Sequence, residues 1–185
     1  MDRDASDIFG VIRLMNPMRK SIALQTRKGN DIPNEVSLDA PVQDAAKFFA
    51  YISKRSWVVR KRPCGVYNCA GHVWASRRTS IYEAALYVRI LHEDGYRKLR
   101  PNVVPEIGDL ALYRLPKGPY VHVGIVYGKR KLTADSQPIP WVLSKLNDHF
   151  GEAFHPAGGW TVDDTPCEVE YWTDRYEQTA KTPSP

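Results

Sequence analysis

Cysteine is scarce in this chain: three in 185 residues, an odd number. A disulfide framework is therefore excluded as the source of its stability, and reduced thiols, one of them reactive, are the economical reading. Long apolar runs are absent. None approaches the ~18–20 residues a spanning helix needs, so no membrane partner is expected. There is no internal repeat and no low-complexity block, which excludes solenoids and flexible arrays. The N-terminal stretch "MDRDASDIFGVIRLMNPMRK" opens with acids and has no continuous apolar core. No signal peptide is expected, and the location expected is cytoplasmic or reached by export without one.

The apolar fraction, 43%, is that of a globular protein, and the length suits one domain with a core of its own. Lys and Arg outnumber Asp and Glu by 26 to 21, a net charge of +5. Part of the excess is concentrated in "KRSWVVRKRP" (54–63) and in Arg77-Arg78. Such a patch is either solvated surface or a contact for an anionic partner: nucleic acid, anionic lipid or an anionic polymer. No nucleic-acid-binding motif accompanies it.

The pattern predicts helices first and strands later. "PVQDAAKFFAYISKR" (41–55) reads as a helix with Ala45, Phe48, Phe49 and Ile52 on its apolar stripe. "SWVVR" (56–60) reads as a short strand. Asn68 can cap a helix from Cys69 to about Ser76. "SIYEAALYVRILHEDG" (80–95) is the clearest helix. Ser80 and Glu83 are spaced as a capping box, Ala84, Val88 and Leu91 lie on one face, and Gly95 is the stop. After Pro105 the pattern alternates. Strands are expected over 108–115, 120–128, 141–146 and 168–174, and "DIFGVIRL" near the start is strand-like. This is an α+β layout, N-terminal helices packed on a C-terminal antiparallel sheet. The boundaries expected are one domain over 1–175 and a polar, fraying tail over 176–185.

Three pieces carry chemistry. Cys69 opens a helix, where the dipole and free backbone N–H groups favour thiolate. His122, on a strand and facing opposite to Val121 and Val123, is a candidate base for that thiol. A third group would orient the imidazole: Ser144 if strands 120–128 and 141–146 form a hairpin, Asp135 from the intervening loop, or His155 further on. Trp141 and Lys145 are candidates for lining a substrate groove and for holding an anionic group, and the Asn68 amide for facing the site. Asp109 reads as a turn acceptor. Cys64, Cys69 and His72 form a competing metal-binding trio that lacks a fourth ligand. No metal and no cofactor are expected.

"NCAGHVWA", then "GDLALYR", then "YVHVGIVYG" resembles the cysteine-hydrolase group that includes NlpC/P60 and CHAP domains. The resemblance spans roughly 65–150. Asn68-Cys69-Ala70 stands where that group commonly has Asp-Cys-Ser. "KLTADSQ" stands where a second histidine usually follows. The resemblance implies a papain-like fold, with 1–60 an N-terminal elaboration and 61–174 a catalytic core. It implies Cys69 as nucleophile and His122 as base. The activity implied is a cysteine peptidase or amidase that cleaves an amide bond in a peptide, an isopeptide or a peptidoglycan cross-peptide. The rival reading is an inactive papain-like binding module that uses a basic groove.

Overall fold

The computed structural model describes residues 20–36, 42–131, 136–163 and 165–175. The strand-like piece near the start, Asp135 and the 176–185 tail lie outside the described residues. Among the described residues three helices, α1 (Val42–Ser53), α2 (Cys69–Trp74) and α3 (Ala84–Glu93), precede most of the sheet. Nine strands accompany them: β1 (Val58–Lys61), β2 (Arg97–Lys98), β3 (Leu110–Arg114), β4 (Tyr120–Arg130), β5 (Ile139–Lys145), β6 (Glu152–Pro156), β7 (Thr161–Val162), β8 (Thr165–Pro166) and β9 (Glu168–Thr173). Seven form one sheet in the order β1-β6-β5-β4-β3-β9-β2, and every pairing in it is antiparallel. The four strands β3 to β6 form a meander, and β9 returns beside β3. The protein is thus a mixed α+β fold built on a large antiparallel sheet.

Each face of the sheet has its own core. Leu110, Leu112 and Val123 point toward α2 and α3, and pack with Cys69, Ala70, Ile81, Leu86, Ile90 and Leu91. Ala111, Tyr113, Val126, Val142 and Ala153 point the other way, and pack with Phe48 and Ile52 of α1 and with Trp160. Strand alternation sorts the residues, because neighbours in sequence leave opposite faces. The segment expected to be an N-terminal elaboration is part of this architecture. α1 covers one face, and β1 pairs with β6.

Two helices differ from expectation in detail. The third begins at Ala84, not Ser80, and its N-cap Glu83 makes no side-chain capping bond. Ser80 instead pairs backbone to backbone with Glu35 in an isolated bridge. Its buried stripe is Leu86, Tyr87, Ile90 and Leu91, while Val88 is exposed. On α1, Phe48 and Ile52 are buried and Phe49 is largely exposed. Gly95 ends α3 as expected, in the left-handed region at φ 80°. Strand β6 was not expected from sequence, since "EAFHP" is too short and mixed to show a period.

Candidate active site

Cys69 owes its position to two neighbours. Asn68 is in extended conformation, and its side-chain oxygen accepts the Gly71 N–H at 2.9 Å, as the capping reading expects. The same amide accepts the Ile81 N–H at 3.1 Å and donates to the Ile81 carbonyl at 2.7 Å. It therefore staples the start of α2 to the strap that leads into α3, and both ends of the amide are engaged with backbone. This replaces the expected substrate-facing role for Asn68. Gly71 permits the close approach: a Cβ there would fall 1.7 Å from the Thr79 carbonyl oxygen.

The Cys69 side chain is buried, with its sulfur 3.7 Å from the Tyr87 hydroxyl of α3. Burial pushes its thiol pKa up, against hydrogen bonds from Tyr87 and from the Val123 and Ala70 backbone, which favour thiolate. The Val123 contact follows from the face on which that residue lies, the one that α2 and α3 cover.

His122 points elsewhere. It pairs across the sheet with Tyr113 and shares that residue's face, whereas Val123 shares the face of Cys69. Its ring stacks on Trp160, with centroids 3.9 Å apart and planes 7° from parallel. Its Nε2 is buried and has no hydrogen-bond partner among the described residues. Burial first, then the neighbouring His155 and His72, hold its pKa well below the usual imidazole value, so the ring is neutral. The expected Cys69–His122 contact is therefore not made in this form of the molecule: the sulfur bonds Tyr87, and the imidazole lies in the opposite layer. Val121 also departs from the expected alternation. The register slips between Tyr113 and Arg114, and Val121 packs in the same layer as His122.

The expected hairpin of β4 and β5 forms, but Ser144 does not orient His122. The register sets Ser144 beside Gly124, against which an added Cβ would sit 2.9 Å from the Ser144 Cβ. Ser144 partners His155 instead, at 2.7 Å from Nε2. His155 Nδ1 lies 2.8 Å from the Pro156 carbonyl, which can only accept. Nδ1 therefore carries the proton, and the Ser144 hydroxyl donates to Nε2. Both residues are fully buried, and burial lowers the His155 pKa to about 4.

Lys145 is fully buried and donates to the carbonyls of Cys64, Asn147, Asp148 and Phe150. Burial lowers its pKa to about 8. It holds the β5–β6 turn instead of a ligand. Trp141 is buried with the Arg130 guanidinium 4.7 Å above its ring. Asp109 is the turn acceptor expected, taking the Glu106 N–H at 2.7 Å and pairing with Arg175. Among the described residues no three His, Cys, Asp or Glu side chains gather as a metal site, so Cys64, Cys69 and His72 form no such trio.

A cleft of about 300 Å³ opens beside His122, lined by Tyr51, Val121, Phe150, Trp160 and Asp163 among others. Trp160 and Tyr87 were missed as site residues from sequence. Tyr87 could have been found from its place beside Leu91 on the amphipathic helix. Trp160, in "GGWTV", has no periodicity around it to reveal its face. No family model, no curated protein and no solved structure matches the chain.

Proposed function

We propose that this chain is a papain-like thiol hydrolase that opens an amide bond, with Cys69 as nucleophile and His122 as base, and that the arrangement described above is its resting form. One observation carries the reading. The Cys69 sulfur lies against the Val123 backbone amide, so the peptide joining Val123 to His122 is already at the nucleophile. Bringing the imidazole to the thiol then requires His122 to leave Trp160 and the 121–123 segment of β4 to turn it to the Cys69 face.

In that state His122 takes the Cys69 proton, and the thiolate forms a bond to the carbonyl carbon. The Cys69 backbone N–H donates to the oxyanion. Collapse breaks the C–N bond, and His122 returns the proton to the departing amine. Water then cleaves the thioester and restores the thiol. Candidate substrates are peptides, isopeptides and peptidoglycan cross-peptides. The test is a screen of peptides and muropeptides with wild type and Cys69→Ala. Turnover lost in the variant, with its unfolding midpoint kept, supports the reading. Turnover retained in Cys69→Ala defeats it.

A second reading is a binding module of the same fold. The neutral, Tyr87-bonded thiol and the unpartnered His122 Nε2 beside the cleft favour it. It predicts ligand binding unaffected by Cys69→Ala and weakened by filling the cleft with Val121→Trp.

A further inference from the structure

Alternation along β1 would send Arg60 and Lys61 to opposite faces of the sheet. The register slips between Val59 and Lys61, and both side chains reach the same place. Arg60 Nη1 lies 2.9 Å from Glu152 Oε2. Lys61 Nζ lies 5.0 Å from the centre of the Tyr67 ring, whose hydroxyl donates to Glu152 Oε1 at 2.6 Å. Bulges of this kind re-aim side chains.

A third cation arrives from the end of α2. Ser76 and Arg77 have φ of 49° and 65°, two successive positions in the left-handed region that favours glycine. That turn delivers Arg77 Nε to 2.6 Å from Glu152 Oε1, with Nη2 3.4 Å from Oε2. Arg60 and Arg77, from the runs 54–63 and 77–78, thus meet at a single carboxylate.

Glu152 is fully buried, while the Arg60 and Arg77 side chains are 43% and 33% exposed. The charges do not balance. Arg60 and Arg77 against one carboxylate leave a surplus of one, Lys61 over the Tyr67 ring adds another, and Arg62 and Arg78 are exposed next to them in the chain. The donors are not all committed to Glu152 either. Arg60 gives it Nη1 and Arg77 gives it Nε and Nη2, so Nε and Nη2 of Arg60 and Nη1 of Arg77 stay outside these bonds. A buried carboxylate that fixes two guanidinium forks at the surface is a preorganised anion receptor.

We infer that Arg60, Lys61 and Arg77, oriented by Glu152, form a site for a phosphoryl group. Two guanidinium groups meeting at Glu152, with an ammonium over the Tyr67 ring that bonds the same carboxylate, suit a tetrahedral, multiply charged oxyanion, whereas a planar carboxylate is satisfied by one fork. The group is either free phosphate or a phosphate carried on a polymer. The site stands whether or not Cys69 is catalytic.

The test uses the full chain and two probes, inorganic phosphate and a fluorescent oligodeoxythymidylate, at about 150 mM ionic strength held constant with chloride. The variants are Arg60→Gln/Lys61→Gln, the milder Lys61→Gln, which leaves the Arg60–Glu152 bond in place, and a charge-matched control, Lys28→Gln/Lys117→Gln. Binding of inorganic phosphate, weakened about tenfold in the double variant and clearly in Lys61→Gln but not in the control, supports a small-phosphate site. The same pattern with the oligonucleotide alone supports a polymer-borne phosphate. Binding of neither probe overturns the inference, as does equal loss in the site and control variants.

Discussion

The Cys69 sulfur and the Tyr87 hydroxyl lie 3.7 Å apart inside the layer formed by α2 and α3. This contact sets the resting state of the thiol. The hydroxyl favours the thiolate against the larger effect of burial. Tyr87→Phe removes that support, so the pH midpoint of Cys69 alkylation is expected to rise by about half to one unit. A midpoint unchanged in Tyr87→Phe contradicts the assignment of Tyr87 as the sulfur's partner.

The buried imidazoles make stability depend on acid. The folded-state pKa of His155 is about 4, below the ordinary 6.5. Between those values the unfolded chain binds more protons, so stability is complete above pH 6.5 and is lost as pH falls toward 4. The loss expected for His155 between pH 7 and pH 4.5 is about 2 kcal/mol. His122, also depressed, adds in the same direction. Urea midpoints at the two pH values, in wild type and His155→Gln, measure this. The gap between them should shrink in the variant. Glu152, held well below the usual carboxylate range by His72, Arg77 and Tyr67 despite its burial, loses its stabilising effect only as pH falls below about 4.5, outside this window.

Gly71 is required by space. Gly71→Ala places a methyl group 1.7 Å from the Thr79 carbonyl oxygen. The helix must move off the 79–81 strap, at a cost of about 3 kcal/mol. A thermal midpoint within a degree of wild type would contradict the close approach.

Lys145 pins the β5–β6 turn through the carbonyls of Asn147, Asp148 and Phe150 and ties it to that of Cys64. Lys145→Met leaves these acceptors without their donor, at a cost of about 2–3 kcal/mol. Amide hydrogen exchange over 147–150 is expected to accelerate while the β3–β4 amides stay protected. Unchanged exchange in the turn would contradict the pinning role.

Much of the fold was legible because periodicity reports burial directly. "GDLALYR" and "HVGIVYG" became β3 and β4, and Asn68 capped α2 as its position before Cys69 foretold. Gly95 stopped α3 for the reason glycine does. The site was less legible, because it depends on register and on residues far apart in sequence. Ser144 and His122 both leave the sheet on one side, yet the pairing of Ile125 with Leu143 puts Ser144 beside Gly124. No spacing in the sequence encodes that pairing. The same holds for Lys145. Its type suggested a surface contact for an anion, but the tight turn after it folds carbonyls around the ammonium. The bulge at Arg60 left no trace either, since a register slip is a property of two strands together.

The decisive measurement is the alkylation rate of Cys69 by iodoacetamide across pH, located by mass spectrometry, in wild type and His122→Ala. The account predicts that Cys69 is labelled at pH 7 through the form in which the imidazole reaches the sulfur, and that the rate falls at least about tenfold when the imidazole is removed. An ordinary thiol profile, identical in the two proteins, would contradict it.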